Sequence, residues 1–115
     1  MAMGREGNIV NLTRCAWVGS QKYGSLVWSG DVHSTFEDLK AQITCGIHMG
    51  MAGIPWFTTD MGGFALGDVN DPKFKELLVR WCQFSCFSPV MRNHGYRLGI
   101  QPDGSMDETI TAADG

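Results

Sequence analysis

Short apolar runs that each end in a polar residue, separated by two longer stretches of helical periodicity, constrain this 115-residue chain more than any other feature. Asn8-Ile9-Val10-Asn11-Leu12-Thr13-Arg14 opens as a short strand, and the polar loop Gly19-Ser20-Gln21-Lys22-Tyr23-Gly24 follows it. Ser25-Leu26-Val27-Trp28 reads as a second strand, ended by Ser29-Gly30-Asp31. Ser34-Thr35-Phe36-Glu37 is a capping box, in which the Ser34 hydroxyl accepts from the Glu37 amide and the Glu37 carboxylate accepts from the Ser34 amide. It predicts a helix opening at Ser34, with Phe36, Leu39, Ile43 and Ile47 as its apolar stripe and its end near Gly50. Ile54-Pro55-Trp56-Phe57-Thr58-Thr59 is a third strand, with Pro55 near its start where a missing donor is tolerated. A second helix starts at Asp71-Pro72, an N-cap followed by proline at the first helical position, and buries Phe74, Leu77, Leu78, Trp81 and Phe84. Pro89 stops it, and Val90-Met91-Arg92-Asn93-His94 reads as a fourth strand.

Strand, loop, strand, helix, strand, helix, strand is the alternation of an α/β fold with a parallel sheet and outer helices. Arg14, Asp31, Asp60 and Asn93-His94 each follow the apolar run of their own strand. In a parallel sheet these carboxyl ends share one face, so the four positions converge on one rim, as in the active site of a (β/α)8 barrel. A complete barrel needs about 250 residues, so the expectation is a partial (β/α)8 barrel, about half of one. The alternative is a small open α/β sheet with its ligand at the same edge. Residues 1–100 form the expected barrel fragment, and the Gly/Asp/Thr-rich stretch 101–115 is expected to be a loosely ordered polar tail.

A formal charge of −3 gives no electrostatic reason to expect nucleic acid or an anionic membrane as partner. No apolar run approaches the roughly 18 residues of a membrane span. Met1-Ala2-Met3-Gly4-Arg5-Glu6-Gly7 lacks the apolar core of a signal peptide and reads as the start of a truncated chain. Cys15 follows a strand pattern, while Cys45, Cys82 and Cys86 fall on the two helices, and Cys82 and Cys86 share one helical face. That spacing suits neither an intrahelical disulfide nor a metal knuckle, so reduced, mostly buried thiols and a reducing, cytoplasmic compartment are expected.

Asp31 and Asp60 are the strand-end carboxylates, and two carboxyls facing one cleft are the minimum set for glycoside hydrolysis. The competing reading makes each a loop residue that caps a helix or turns the chain. Trp28, three residues before Asp31, favours the chemical reading, because an indole face stacks on sugar rings and lowers the local polarity. His94 is either a sugar contact or a satisfied strand-end histidine, and Arg14 either a positioning donor or a surface charge. No second ligand stands at metal spacing from His94; Asp68-Val69-Asn70-Asp71-Pro72 lacks the sixth-position glycine and terminal glutamate of a calcium loop. GxGxxG, Walker, GxSxG and CxxC motifs are absent, so no metal and no cofactor is expected.

Thr13-Arg14, Gly19-Ser20-Gln21-Lys22-Tyr23-Gly24, Trp28-Ser29-Gly30-Asp31, Gly53-Ile54-Pro55-Trp56, Asp60-Met61-Gly62-Gly63-Phe64, Arg80-Trp81-Cys82-Gln83-Phe84 and Arg92-Asn93-His94-Gly95 occur in that order. Together, over Asn11 to Arg97, they resemble glycoside hydrolase family 31, retaining α-glucosidases and α-xylosidases on a (β/α)8 barrel. The resemblance implies Asp31 as general acid/base and Trp28 as the aromatic neighbour at the sugar subsite. It implies that Arg14 contacts the nucleophile region and substrate, that Asp60 shapes the subsite with Phe64 packed beside it, and that His94 hydrogen-bonds the sugar. An α-linked oligosaccharide or glycoside is the implied partner.

The family's nucleophile is an Asp in a Trp-x-Asp-Met-Asn-Glu type segment on an earlier strand, and no such segment occurs in this sequence. The resemblance therefore covers the carboxyl-terminal part of a barrel, and the isolated chain is expected to be inactive. Phe36 stands where the family often has Trp, which keeps the position apolar. Open barrel edges predict self-association or partial disorder.

Overall fold

A computed structural model describes residues 9–98; the expectations for residues 1–7 and for the tail 101–115 lie outside them. Ser25–Trp28 forms the central strand, β2, with Ser25, Leu26 and Val27 all buried. Asn11–Thr13 (β1) pairs parallel to one side of it in the register Asn11↔Ser25, Leu12↔Leu26, Thr13↔Val27. Phe57–Thr58 (β3) pairs parallel to the other side, through Val27↔Phe57 and Trp28↔Thr58. A parallel strand flanked on both edges and covered by helices has no wet face, which is why this short run is apolar after Ser25.

The expected fourth strand, Val90–His94, reduces to one parallel bridge between Asp60 and Arg92. The Met61 amide donates to the Arg92 carbonyl at 3.0 Å and the Thr58 hydroxyl to the Val90 carbonyl at 2.8 Å, so the segment does run beside β3. Pro89 supplies no N–H at its start, and the chain turns away at Gly95, so no longer ladder forms. A second small parallel sheet, Gly67–Asp68 (β4) with Arg97–Leu98 (β5), has no counterpart in the sequence reading.

Helix α1, Phe36–Met51, is capped by Thr35 and not by Ser34. The Thr35 hydroxyl accepts from the Asp38 amide at 3.1 Å, and the Asp38 carboxylate accepts from the His33 amide at 2.6 Å. The cap is thus shifted by one residue, and its carboxylate, Asp38 in place of Glu37, reaches back past the N-cap amide to that of His33. The buried stripe is corrected too: Leu39 is buried, but Phe36, Ile43 and Ile47 are 45%, 37% and 59% exposed. The helix turns Leu39, Gln42, Cys45 and Met49 inward, because Gly46 lets it settle on the Phe57 ring, where an added Cβ would lie 3.4 Å from the ring edge.

Helix α2, Pro72–Ser85, follows the sequence closely. The Asp71 carboxylate accepts from the Lys73 amide at 2.8 Å, and Phe74, Leu77 and Trp81 are buried, with Leu78 and Phe84 half-buried. Leu39, Phe74, Leu77 and Trp81 make one core cluster between the helices; Val27, Ile54 and Phe57 make a second under the sheet. Trp81 is fully buried, and its indole N–H donates to the Thr59 hydroxyl at 2.8 Å, tying α2 to the end of β3. All four cysteines are free, but Cys15 and Cys86 are exposed, so the expectation of mostly buried thiols holds only in part. Among the described residues no helix is long and apolar enough to cross a membrane.

Candidate active site

The parallel segments deliver Arg14, Asp31, Asp60 and Arg92 from their carboxyl ends, as their order in the chain requires. Arg14 forms an ion pair with Asp31, and Arg92 forms one with Asp60. Trp28 links the two: its ring lies 5.3 Å from the Arg14 guanidinium carbon and 5.6 Å from that of Arg92. The pairs differ in environment. Arg14 and Asp31 expose 58% and 48% of their side chains, so that bridge adds little stability, whereas Asp60 is wholly buried.

Asp60 is held from three directions. Arg92 takes one carboxylate oxygen, the Gly63 amide donates to its carbonyl at 2.9 Å, and the strand places it inside the fold. Its second oxygen, Oδ2, is buried with no hydrogen-bond partner among the described residues, and so is the Trp28 indole nitrogen. A buried carboxylate oxygen and a buried indole N–H without partners are costly, so each marks a place for a further hydrogen-bond partner.

After Asp60 the chain reverses through Gly62 and Gly63, whose φ values of 88° and 79° suit glycine. A Cβ on Gly63 would lie 2.6 Å from the His33 carbonyl oxygen, so the two loops touch backbone to backbone. The Phe64 and Ala65 amides then donate to Val32 at 2.8 and 3.2 Å, and the Ser34 amide donates to Ala65 at 2.9 Å. This interlocks the loop after Asp31 with the loop after Asp60. Phe64 emerges half-buried beside the exposed His94, ring centroids 5.5 Å apart.

Arg14, Trp28, Asp31 and Asp60 thus fall into one chain of contacts, while Phe64 and His94 form a neighbouring pair. Arg92 is the residue that sequence reasoning missed. It stands in the Arg92-Asn93-His94-Gly95 motif, and its role is visible only once topology sets it beside Asp60. Arg97 was missed as well; burial pushes its guanidinium below the usual arginine range. Among the described residues no three His, Cys, Asp or Glu side chains gather as a metal site would require. A concavity of about 680 Å³ runs along α1 past Lys40, Thr44, Cys45 and His48, away from the strand ends. It carries none of the rim residues.

Residues 2–110 match the family model described as "Glycosyl hydrolases family 31 TIM-barrel domain". An uncharacterized family 31 glucosidase of Pseudescherichia vulneris is 60% identical over 92 residues, covering 80% of this chain and 17% of the relative. An alpha-xylosidase of Saccharolobus solfataricus is 44% identical over 94 residues, covering 82% of this chain and 13% of its own length. The crystal structure of a GH31 alpha-xylosidase from a soil metagenome, complexed with xylose, superposes with a TM-score of 0.77 at 57% identity. That superposition covers 85% of this chain and 15% of the other.

Proposed function

The chain belongs to glycosyl hydrolase family 31, whose TIM-barrel domain it samples in part, and from that membership we infer that it is part of a retaining α-glycosidase acting on α-xylosides or α-glucosides. Asp31 is its general acid/base, and the nucleophile comes from barrel sequence that this chain does not carry. The reading rests on one observation above others: contacts run from Asp31 through Arg14 and Trp28 to Arg92 and Asp60 at the ends of adjacent parallel segments.

In this reading the protonated Asp31 carboxyl gives its proton to the aglycone oxygen while a carboxylate from an earlier strand attacks the anomeric carbon. The aglycone bond breaks and a glycosyl ester forms. Asp31, now ionised, takes a proton from a water that attacks the same carbon, so the sugar leaves with retained configuration and the nucleophile returns to carboxylate. Retention needs the two carboxyls about 5–5.5 Å apart. Arg14 steadies Asp31 in its ionised half of the cycle and reaches toward the second carboxylate. The Trp28 ring offers a stacking face, and Oδ2 of Asp60 accepts from a sugar hydroxyl. Asp60 is a poor substitute for the nucleophile, because it is buried and engaged by Arg92. His94, exposed beside Phe64, contacts the sugar from the fourth segment.

A second reading, a non-catalytic sugar-binding or structural fragment, is favoured by one fact: the sequence contains no segment of the nucleophile type. One experiment tests what the isolated chain retains of the site. The purified chain is incubated with nitrophenyl α-xyloside and α-glucoside and titrated calorimetrically with xylose and glucose. Binding without turnover is expected. Asp31-dependent nitrophenol release would overturn the assignment of the nucleophile to other sequence, and absence of binding heat with either sugar would overturn the sugar site.

A further inference from the structure

We propose that Arg97 is a positioning residue, a clasp whose guanidinium holds the Met61–Phe64 turn in place and so keeps Phe64 beside His94. The role in sugar binding rests on the reading of that rim as the sugar site; the clasp itself does not.

Nη1 of Arg97 donates to the Gly63 carbonyl at 2.8 Å and to the Tyr96 carbonyl at 3.1 Å, and lies 3.5 Å from that of Phe64. Nη2 donates to the Met61 carbonyl at 3.0 Å. The guanidinium carbon sits 5.1 Å from the ring of Phe74, a buried residue of the inter-helix core, so the clasp is braced against a fixed surface. A planar fork with five donors serves several carbonyls at once, which a single ammonium cannot match.

Backbone bonds pin the ends of the turn, and the clasp takes the carbonyls of Met61 and Gly63 that they leave. Gly62 and Gly63 follow each other with positive φ, and glycine loses more freedom on ordering than any other residue. Arg92 fixes the Asp60 carboxylate and, through its carbonyl, the Met61 amide, but reaches neither Gly62 nor Gly63. Gly95 completes the arrangement: at φ 150°, a Cβ there would lie 2.5 Å from Nη1 of Arg97 and 2.7 Å from the Gly63 carbonyl oxygen. Any side chain at position 95 would occupy the guanidinium's path. The motif residue that follows His94 therefore makes room for the clasp.

Hydrogen exchange on the full chain without ligand tests this, comparing the native sequence with Arg97→Met, Arg97→Lys and Gly95→Ala. The amides of Gly63, Phe64, Ala65 and Tyr96 report on the turn, those of Leu39 and Cys86 on the helices. Arg97→Met and Gly95→Ala should each speed the first set about tenfold and leave the second unchanged, with Arg97→Lys between. Equal acceleration in both sets, or none at the turn, overturns the clasp. Titration with xylose then reads the positioning role: affinity should fall about tenfold in Arg97→Met and Gly95→Ala and recover in part with Arg97→Lys. Unchanged affinity beside a loosened turn overturns that role. A native chain that takes up no xylose sinks the sugar reading alone, and the exchange result still decides whether Arg97 is the clasp.

Discussion

Asp60 and Arg92, 32 residues apart in the chain, meet as a buried ion pair where β3 and the Val90–Arg92 segment run side by side. Removing one partner of such a pair leaves an uncompensated buried charge, at about 3–5 kcal/mol. Arg92 keeps 21% of its side chain exposed, so the lower end applies. Arg92→Met should lower the free energy of urea unfolding by about 3 kcal/mol, and the double variant Asp60→Asn/Arg92→Met should recover part of it. A loss below about 1 kcal/mol would mean that the pair is no more than a surface bridge.

Trp28 stands between the two ion pairs, with its ring against both guanidiniums. Trp28→Ala should weaken xylose binding several-fold, since an aromatic platform contributes about 0.5–1.5 kcal/mol. Asp31→Asn should leave binding within about twofold, because its bridge to Arg14 is half exposed. Calorimetric titration checks both. Equal losses in the two variants would contradict the separate roles given to them.

The legible parts of this fold were those that local chemistry decides. Asp71-Pro72 marks a helix start unaided, and Ser25–Trp28 is short, apolar and bounded. The strand-end positions Arg14, Asp31 and Asp60 followed from the alternation alone, and the resemblance in the ordered motifs identified the family. What failed was either locally ambiguous or decided by partners distant in sequence. Ser34 and Thr35 are adjacent hydroxyls with Glu37 and Asp38 as adjacent carboxylates, so two N-caps compete, and the His33 amide favours the one that brings Asp38 to it. The stripe Phe36–Ile43–Ile47 is as periodic as the one through Leu39 and Met49; the Phe57 ring against Gly46 selects the second. β4 and β5 are two residues each and carry no pattern.

Cys45 is half-buried against the sheet, and burial pushes its thiol above the ordinary range. In the unfolded chain the thiol ionises first as pH rises, so its contribution to stability is full below about pH 8 and is lost as pH rises toward its folded value. Cys45 should react with iodoacetamide more slowly than the exposed Cys15 and Cys86, with an onset at higher pH. Mass-spectrometric mapping of labelled peptides over a pH series checks this; simultaneous labelling of all three would contradict it.

β1 pairs only with β2 among the described residues, and Leu12 on it is 44% exposed. An unpaired parallel edge with an exposed apolar side chain is a template for a second copy. The chain should sediment with a concentration-dependent mass, and Leu12→Lys should raise the monomer fraction several-fold by placing a charge on that edge. A sharply melting monomer at every concentration would refute it.

The shifted cap of α1 separates two hydroxyls that differ by one position. Thr35 accepts from the Asp38 amide, whereas the Ser34 hydroxyl is buried without a partner among the described residues. Losing a capping hydroxyl costs about 1 kcal/mol, so Thr35→Ala should lower stability by that amount. Ser34→Ala removes an oxygen that bonds nothing, and should be neutral or slightly stabilising. Asp38→Ala should cost as much as Thr35→Ala, because it frees both the His33 amide and the His33 ring, whose Nδ1 lies 3.5 Å from the carboxylate. Glu37→Ala should cost almost nothing. Urea unfolding of the four variants decides the matter: a larger loss at Ser34 and Glu37 than at Thr35 and Asp38 would return the helix start to Ser34 and undo the register of the loop that carries Asp31.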